Sequence, residues 1–321
     1  MPMRSRASAL RLGGAFAAAA AFFPARGRAQ SAGVPIVALG SHSDSGAEIY
    51  YAQDQGMCAA AGLTVNLQTA TDPSAVAGAV LSGNAAIASI TIPGFALAHE
   101  RGLPLAIVAP GAIYSSAAPT AGIVVLKNAP FKTAADLNGK TLTTLDIHNM
   151  GYYGAKAWID RNGGDSSTVK WYEMPESLAL AAMRAGRVDA AEVSEPVLDD
   201  AVRSPDARLF ASCYDAIAER FLINAYFTSA DYARAHPEIV QRFCDVILRA
   251  GAWANKNHAQ SGKILEKYIG VPVPPANTRA TYAERVRPAD AQPVLDVLVQ
   301  YGALKKPLRA ADLFAPGLRL G

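Results

Sequence analysis

Residues 63–93 read LTVNLQTATDPSAVAGAVLSGNAAIASITIP, and this stretch contains the pattern that decides the fold. A β-rich run at its start is followed by Asp72-Pro73, a pair typical of the N-cap and first residue of a helix. The helical pattern ends at Gly83, and a second apolar run, Ala85 to Ile90, follows. The order strand, helix, strand favours two parallel strands joined by a helix.

The same alternation continues on both sides of this stretch. Pro35 to Gly40 is a short β-branched run, and after it a helical pattern passes through Ile49 and Met57 to a stop at Gly62. A fourth strand is predicted at Leu105 to Val108. Because strands and helices alternate, the sequence predicts an α/β fold with helices covering a parallel sheet.

The order of elements then repeats further along the chain. A spacing of 103 residues separates Gly83 from Gly186 and also Pro93 from Pro196, and a short strand follows each glycine. A His-containing loop follows the first strand of each half, at His42 and His148. The repeat predicts two similar α/β lobes.

The predicted lobes are not contiguous in sequence. Thr120–Lys127 and Phe221–Ser229 are β-rich segments at the borders of the second half, and they are predicted to be the two strands that cross between lobes. Lobe one is therefore expected to comprise residues 34–122 plus 228–321, and lobe two residues 123–227.

The N-terminal segment has the parts of a secretory signal peptide. Arginines precede an uncharged apolar stretch, Leu12 to Phe23, and Gly27-Arg28-Ala29 places small residues at the −3 and −1 positions of a cut before Gln30. We expect residues 1–29 to be a signal peptide and the mature protein to be periplasmic. A retained amphipathic helix is the alternative.

Charge and cysteine content exclude several classes of protein. Without the five arginines of the leader, 25 basic residues face 27 acidic ones, so no cationic surplus favours nucleic acid as a partner. The three cysteines are too scattered for a disulfide framework or a zinc site, and neither a metal nor another cofactor is predicted. Nucleophile-elbow, zincin, Walker and dinucleotide-binding motifs are not found, which argues against an enzyme.

Five stretches give the chain a family resemblance. It resembles the periplasmic substrate-binding proteins of ABC importers, in the group for aliphatic sulfonates, taurine, nitrate and thiamine-pyrimidine precursors. The stretches, in the order that family has them, are Tyr51-Ala52 through Gly56 to Gly62-Leu63-Thr64-Val65, Leu81-Ser82-Gly83, Ala135 to Thr141 (ADLNGKT), Ala185 to Ala190 (AGRVDA), and His236 to Val240 (HPEIV) with Arg249-Ala250.

The resemblance implies a periplasmic-binding-protein type II-like fold, with two α/β lobes joined by two crossover strands. It further implies a monomeric receptor, not an enzyme, that binds a sulfonate, carboxylate or pyrimidine-like solute between the lobes and delivers it to an ABC permease in the inner membrane. One alternative is an enzyme of the same fold acting on a thiamine-pyrimidine precursor, although the cysteine-rich motif of those enzymes is not found. Another is a receptor of a tripartite tricarboxylate transporter, whose Gly-rich first loop is matched poorly by Gly40 to Gly46.

The candidate ligand-binding residues follow from the topology, because ligands of open α/β sheets bind outside the carboxyl ends of the strands. The candidates are polar residues that follow predicted strands: Ser43, Asp44, Ser45, Thr71, Ser89, Thr91, Tyr114, His148, Asn149 and Glu195. For Ser43 and Asp44 the alternative is that they cap their own helix, and Glu195 has the same alternative. These loops contain no Arg or Lys, so a sulfonate or carboxylate would lack its usual bidentate partner.

Overall fold

The computed structural model describes residues 34–40, 43–69, 73–270 and 272–320. The predicted signal peptide, His42, Thr71 and Asp72 lie outside the described residues. The described strands are β1 Val34–Gly40, β2 Leu63–Thr69, β3 Ile87–Thr91, β4 Leu105–Pro110, β5 Ala112–Ser115, β6 Ala121–Leu126, β7 Thr141–Thr144, β8 Lys170–Glu173, β9 Ala190–Ser194, β10 Ala207–Ala211, β11 Arg220–Leu222, β12 Asn224–Ser229 and β13 Thr281–Tyr282. The described α-helices are α1 Glu48–Asp54, α2 Met57–Ala60, α3 Pro73–Leu81, α4 Ile92–Glu100, α5 Met150–Arg161, α6 Ala179–Arg184, α7 Val197–Arg203, α8 Ala230–Ala235, α9 Pro237–Lys256, α10 His258–Ile269 and α11 Gln292–Gln300.

Two five-stranded sheets, each covered by helices, form the two lobes. The first sheet has the order β2-β1-β3-β12-β4, and the second has the order β8-β7-β9-β6-β10. In both sheets the first three strands are parallel, and the fourth, β12 or β6, runs antiparallel to its neighbours. The matching orders confirm the α/β fold class and the internal repeat.

One connection between the lobes, β5, lies before the predicted crossing segment Thr120–Lys127, and the other, β11, overlaps the start of the predicted segment Phe221–Ser229. β6 lies in the second sheet for its whole length, and β12 lies in the first. The chain instead passes through β5 and β11, which pair antiparallel and form a small third sheet with β13. Periodicity alone predicted the β-rich segments, but it does not tell which sheet a strand joins.

Helix α9 shows how the sequence pattern produces the packing. Pro237 is its first residue, as predicted, and Ile239, Phe243, Ile247 and Ala250 are all buried on one face. α9 packs against α1 and β4 in the first lobe. No helix among the described residues combines the length and apolar composition needed to cross a membrane.

The helix predicted to run to Gly62 is interrupted. α1 ends at Asp54, and α2 begins after Gly56, whose φ of +67° is in the left-handed region that favours glycine. The break leaves α1 as a short helix whose first residue, Glu48, directly follows the loop after β1.

Candidate functional site

Asp44, in the loop after β1, is bound by donors from its own lobe. Its carboxylate forms a bidentate ion pair with Arg279, with distances of 2.9 Å to Nε and 2.8 Å to Nη2. It also accepts from the Ala280 N–H at 2.7 Å and from the hydroxyls of Tyr282 at 2.7 Å and Tyr51 at 3.1 Å. Burial acts to raise the pKa of Asp44, but the hydrogen bonds and charge of Arg279 outweigh it, and the pKa lies below its ordinary value. Asp44 is therefore ionised, and its oxygens are occupied within the protein.

The serines beside Asp44 contact each other. The Ser43 hydroxyl lies 3.1 Å from the Ser45 hydroxyl and donates to the Ser45 carbonyl oxygen at 3.1 Å. The N-cap residue of α1 is Ala47, and no side chain caps the helix. The capping alternative for Ser43 and Asp44 is therefore not what the structure shows.

Glu48, which the sequence reasoning missed, is buried at the start of α1. Its Oε2 lies 3.0 Å from the Tyr226 hydroxyl, and its Oε1 has no hydrogen-bond partner among the described residues. Burial raises the pKa of Glu48 to about 8. The Tyr226 hydroxyl also lies 2.8 Å from the Gly46 carbonyl oxygen. The Tyr226 hydroxyl has one proton and can donate it to only one of these two oxygens. If Tyr226 donates to the Gly46 carbonyl oxygen, a protonated Glu48 can donate to the Tyr226 oxygen, and both contacts are then hydrogen bonds. The sequence did contain a signal for Glu48, because it is an acidic residue that comes directly after the polar loop.

The other candidates of the first lobe have internal partners. Ser89 accepts a hydrogen bond from the Asn224 amide at 2.9 Å, and Thr91 caps α4 by accepting from the Gly94 N–H at 3.3 Å. Tyr114 lies within β5 rather than in a loop. Its ring is fully buried, and its hydroxyl donates to Asp215 at 2.6 Å.

Asn149 and Glu192 meet at the N-terminus of α5 in the second lobe. Asn149 is the N-cap of α5 and accepts from the Tyr152 N–H at 2.9 Å. Glu192 is almost wholly buried and accepts from the Thr144 hydroxyl at 3.0 Å. A β-carbon at position 151 would overlap the Glu192 carboxyl, so Gly151 permits this approach. His148 is in the preceding loop, where its N–H donates to Asp146 at 2.5 Å.

Two more carboxyl groups lie at the end of β9. The Ser194 hydroxyl is 3.0 and 3.1 Å from the two carboxyl oxygens of Glu176, and Glu195 accepts from the Asp199 N–H at 3.1 Å. Burial, and secondarily the charge of Asp199, raises the pKa of Glu195 to about 8. Burial also raises the pKa of Glu176 and of Glu192, and their mutual repulsion adds to the effect on Glu192.

Glu192 is buried and Glu176 and Glu195 are half-buried, and none of the three forms an ion pair with another described residue. The ion pairs formed between described residues all use aspartate as the acid. A buried carboxyl without a cation is stable in its protonated form, or with a donor from outside the protein beside it.

The predicted site residues lie in separate parts of the structure. Ser43, Asp44 and Ser45 share one loop, whereas Asn149 and Glu195 belong to the second lobe and Thr71 is outside the described residues. Sequence reasoning missed Glu48, Glu176, Glu192, Tyr226 and Arg279. A glutamate inside the apolar strand AAEVS (residues 190–194) was a usable signal for Glu192.

Comparison with known proteins shows the family of the chain and known structures that share its fold. Residues 43–261 match the family model described as NMT1/THI5 like. The structure matches the periplasmic aliphatic sulphonate binding protein SsuA from Escherichia coli with a TM-score of 0.73 and 17% sequence identity, over 89% of this chain and 98% of that one. The alkanesulfonate-binding protein SsuA from Xanthomonas axonopodis pv. citri, bound to MOPS, matches with a TM-score of 0.68 and 18% identity, over 88% and 98%.

An enzyme shares the fold as well. The desulfurization enzyme DSZB matches with a TM-score of 0.67 and 15% identity, over 88% of this chain and 97% of that one. No curated protein sequence matches this chain at a significant level. At these identities the structural matches establish the fold alone.

Proposed function

Because the chain belongs to the NMT1/THI5-like family, we propose that it is an exported receptor that captures a small organic solute between its lobes. It delivers that solute to an ABC permease in the inner membrane and works as a periplasmic monomer without a cofactor. The signal peptide is residues 1–29, lobe one is 34–122 plus 228–321, and lobe two is 123–227, except that the whole of β6 belongs to lobe two and the whole of β12 to lobe one. The observation that carries the proposal is the repeated sheet order, since it brings polar strand ends to corresponding edges of two lobes.

The buried carboxyl groups favour one of the three solute classes. A sulfonate or carboxylate needs cations or many N–H donors, whereas Glu176, Glu192 and Glu195 offer acceptors or neutral acid groups. A pyrimidine-like solute with an exocyclic amino group suits them, because a carboxyl group pairs with an N–H donor and the adjacent ring nitrogen together. Ser43, Ser45 and Asn149 complete the proposed site with short polar groups.

The cysteines favour a receptor over an enzyme with a thiolate nucleophile. Burial raises the pKa of Cys58 to about 11 and of Cys244 to about 12, and it also raises the pKa of Cys213. A thiol nucleophile requires an accessible group with a lowered pKa. The three cysteines of this chain have the opposite properties.

A thermal-shift screen at pH 7 tests the proposal, because a ligand that binds only the folded state raises the melting temperature. The panel contains aminopyrimidines, aliphatic and aromatic sulfonates, and carboxylates. We expect aminopyrimidines to stabilise the protein, by about 2.7 kcal/mol at a hundredfold excess over Kd.

Variants link the ligand to the site. Glu195→Gln should weaken aminopyrimidine binding, while Glu266→Gln, an exposed glutamate on α10, should leave it unchanged. Stabilisation by sulfonates alone would show that the solute class is wrong. If no member of the three classes stabilises the protein, the receptor proposal fails.

A further inference from the structure

Residues 277–282 contact both lobes. The segment lies between α10 and α11 and includes β13. Its first two residues contact α7, which packs against β6, β9 and β10 of the second sheet. Its later residues contact Asp44 and helix α9 of the first lobe. We call residues 277–282 the strap.

On the second lobe, the strap is bound mainly by Asp199. The Thr278 N–H donates to Asp199 Oδ2 at 2.6 Å, and the Thr278 hydroxyl lies 3.3 Å from Oδ1. Arg203, one turn later on α7, donates to the Asn277 side-chain oxygen at 2.7 Å. Asn277 is buried and the Asp199 side chain is 22% exposed, so these bonds are partly shielded from water.

On the first lobe, the strap is bound to Asp44 and to helices α9 and α10, and its strand β13 pairs with β5. Arg279, Ala280 and Tyr282 donate four of the hydrogen bonds that the Asp44 carboxylate accepts. The Asn255 side chain of α9 accepts from the Tyr282 N–H at 2.9 Å and donates to its carbonyl oxygen at 3.0 Å. The strap is therefore fixed to the first lobe more firmly than to the second.

The contacts of the strap extend to both halves of the proposed site. Arg279 and Thr278 are adjacent in sequence, so the loop containing Asp44 is one residue away from the contact with Asp199. On the far side, the Asp199 N–H donates to the Glu195 carboxyl at 3.1 Å. The loop after β1 is thus connected with the end of β9 through three hydrogen-bonded contacts and the short backbone segments between them.

We propose that the strap is an interlobe latch, which holds the lobes closed in the absence of ligand and positions Glu195 relative to the loop containing Asp44. Opening the lobes breaks the bonds to Asp199 and Arg203, while those to Asp44 stay intact because they lie within one lobe. The latch acts through Asp199, Asn277 and Thr278, which are positioning residues.

Small-angle X-ray scattering of the ligand-free protein tests the latch without knowledge of the solute. The wild type should match the curve calculated from this structure. Asp199→Ala should give a larger radius of gyration, and the double variant Asn277→Ala/Thr278→Val should give a smaller increase, because it keeps the bond from the N–H of residue 278 to Asp199. For Asp199→Ala we expect the closed-to-open ratio to fall about tenfold, since the lost hydrogen bonds are ones to a carboxylate.

The controls separate opening from misfolding. Glu266→Gln removes an exposed carboxylate of α10 that none of the strap's hydrogen bonds uses, and it should scatter like the wild type. Asp199→Asn keeps an acceptor for the Thr278 N–H and should give an intermediate radius. Circular dichroism establishes that each variant is folded, and the charge-neutral double variant replaces Asp199→Ala if that variant unfolds. If both latch variants fold and scatter like Glu266→Gln, the proposal is wrong, whatever the solute proves to be.

Discussion

At the scale of single residues, the close approach of Gly151 and Glu192 makes one glycine essential. Because a β-carbon at position 151 overlaps the Glu192 carboxyl, Gly151→Ala must displace that buried carboxyl from its bond to Thr144 or shift α5 or β9. We expect a loss of about 1–3 kcal/mol in the free energy of unfolding, as for other overpacked sites. Urea unfolding measures it.

A matched control for Gly151→Ala is available in α3. Gly78 is exposed in that helix, and a β-carbon there meets nothing within 4 Å. Gly78→Ala should stabilise the protein by roughly 0.4–1 kcal/mol, because alanine reduces the entropy of the unfolded chain. Equal effects of the two substitutions would contradict the packing argument at Gly151.

The raised pKa of Glu48 predicts how stability changes with pH. The folded state holds the proton up to about pH 8, whereas the unfolded state releases it near pH 4.5. The contribution of Glu48 is therefore fully present below pH 4.5 and is lost as the pH rises toward 8. Glu48→Gln resembles the protonated acid, so its free energy of unfolding should exceed that of the wild type at pH 8 and be similar at pH 5.

Urea unfolding at several pH values measures this difference, and Glu266→Gln is the control for removing an exposed carboxylate. If the free energy of unfolding depends on pH in the same way for the wild type and for Glu48→Gln, then Glu48 is ionised in the folded protein.

At the scale of elements, the ion pair between Asp44 and Arg279 holds the loop after β1 to the strap. Both side chains are buried, with exposed fractions of 10% and 5%. Arg279→Ala leaves a buried, unpaired carboxylate, which should cost about 3–5 kcal/mol of unfolding free energy. Asp44→Asn combined with Arg279→Ala should recover part of that loss. A double-mutant cycle in urea measures the coupling, and additive effects would contradict it.

Elements with local signals were predictable from the sequence. Gly83 and Gly186 both have positive φ at the ends of the helices they were expected to stop, and Ser229 caps α8. Asn149 was selected because it lies in the polar loop that precedes a predicted helix of lobe two, and it is the N-cap of α5. These residues act on neighbours a few positions away, so a local pattern is enough to find them.

Elements that depend on distant partners were not predictable. Asp44 and Arg279 are 235 residues apart, and nothing near either one indicates the other. The sheet that β6 or β12 joins is likewise decided by packing, since both are apolar runs of similar length. The buried carboxyls became visible only when burial was known, because their pKa values depend on desolvation rather than on sequence neighbours.

At the scale of the whole molecule, the latch and the ligand should act on the same equilibrium between open and closed lobes. A ligand that contacts both lobes favours the closed state, and its apparent Kd equals the intrinsic Kd divided by the closed fraction. Loss of the latch lowers that fraction without removing any proposed ligand contact.

The double variant Asn277→Ala/Thr278→Val therefore allows a quantitative prediction, because it changes neither the charge nor the proposed site. Its apparent Kd for an aminopyrimidine identified by thermal shift should rise by the factor by which scattering shows the closed fraction to fall. Saturating ligand should return its radius of gyration to the wild-type value. Calorimetry gives the Kd, with Glu266→Gln as the control. A variant that opens but binds with unchanged affinity would mean that the solute is held by one lobe alone, because affinity for a single lobe does not depend on closure.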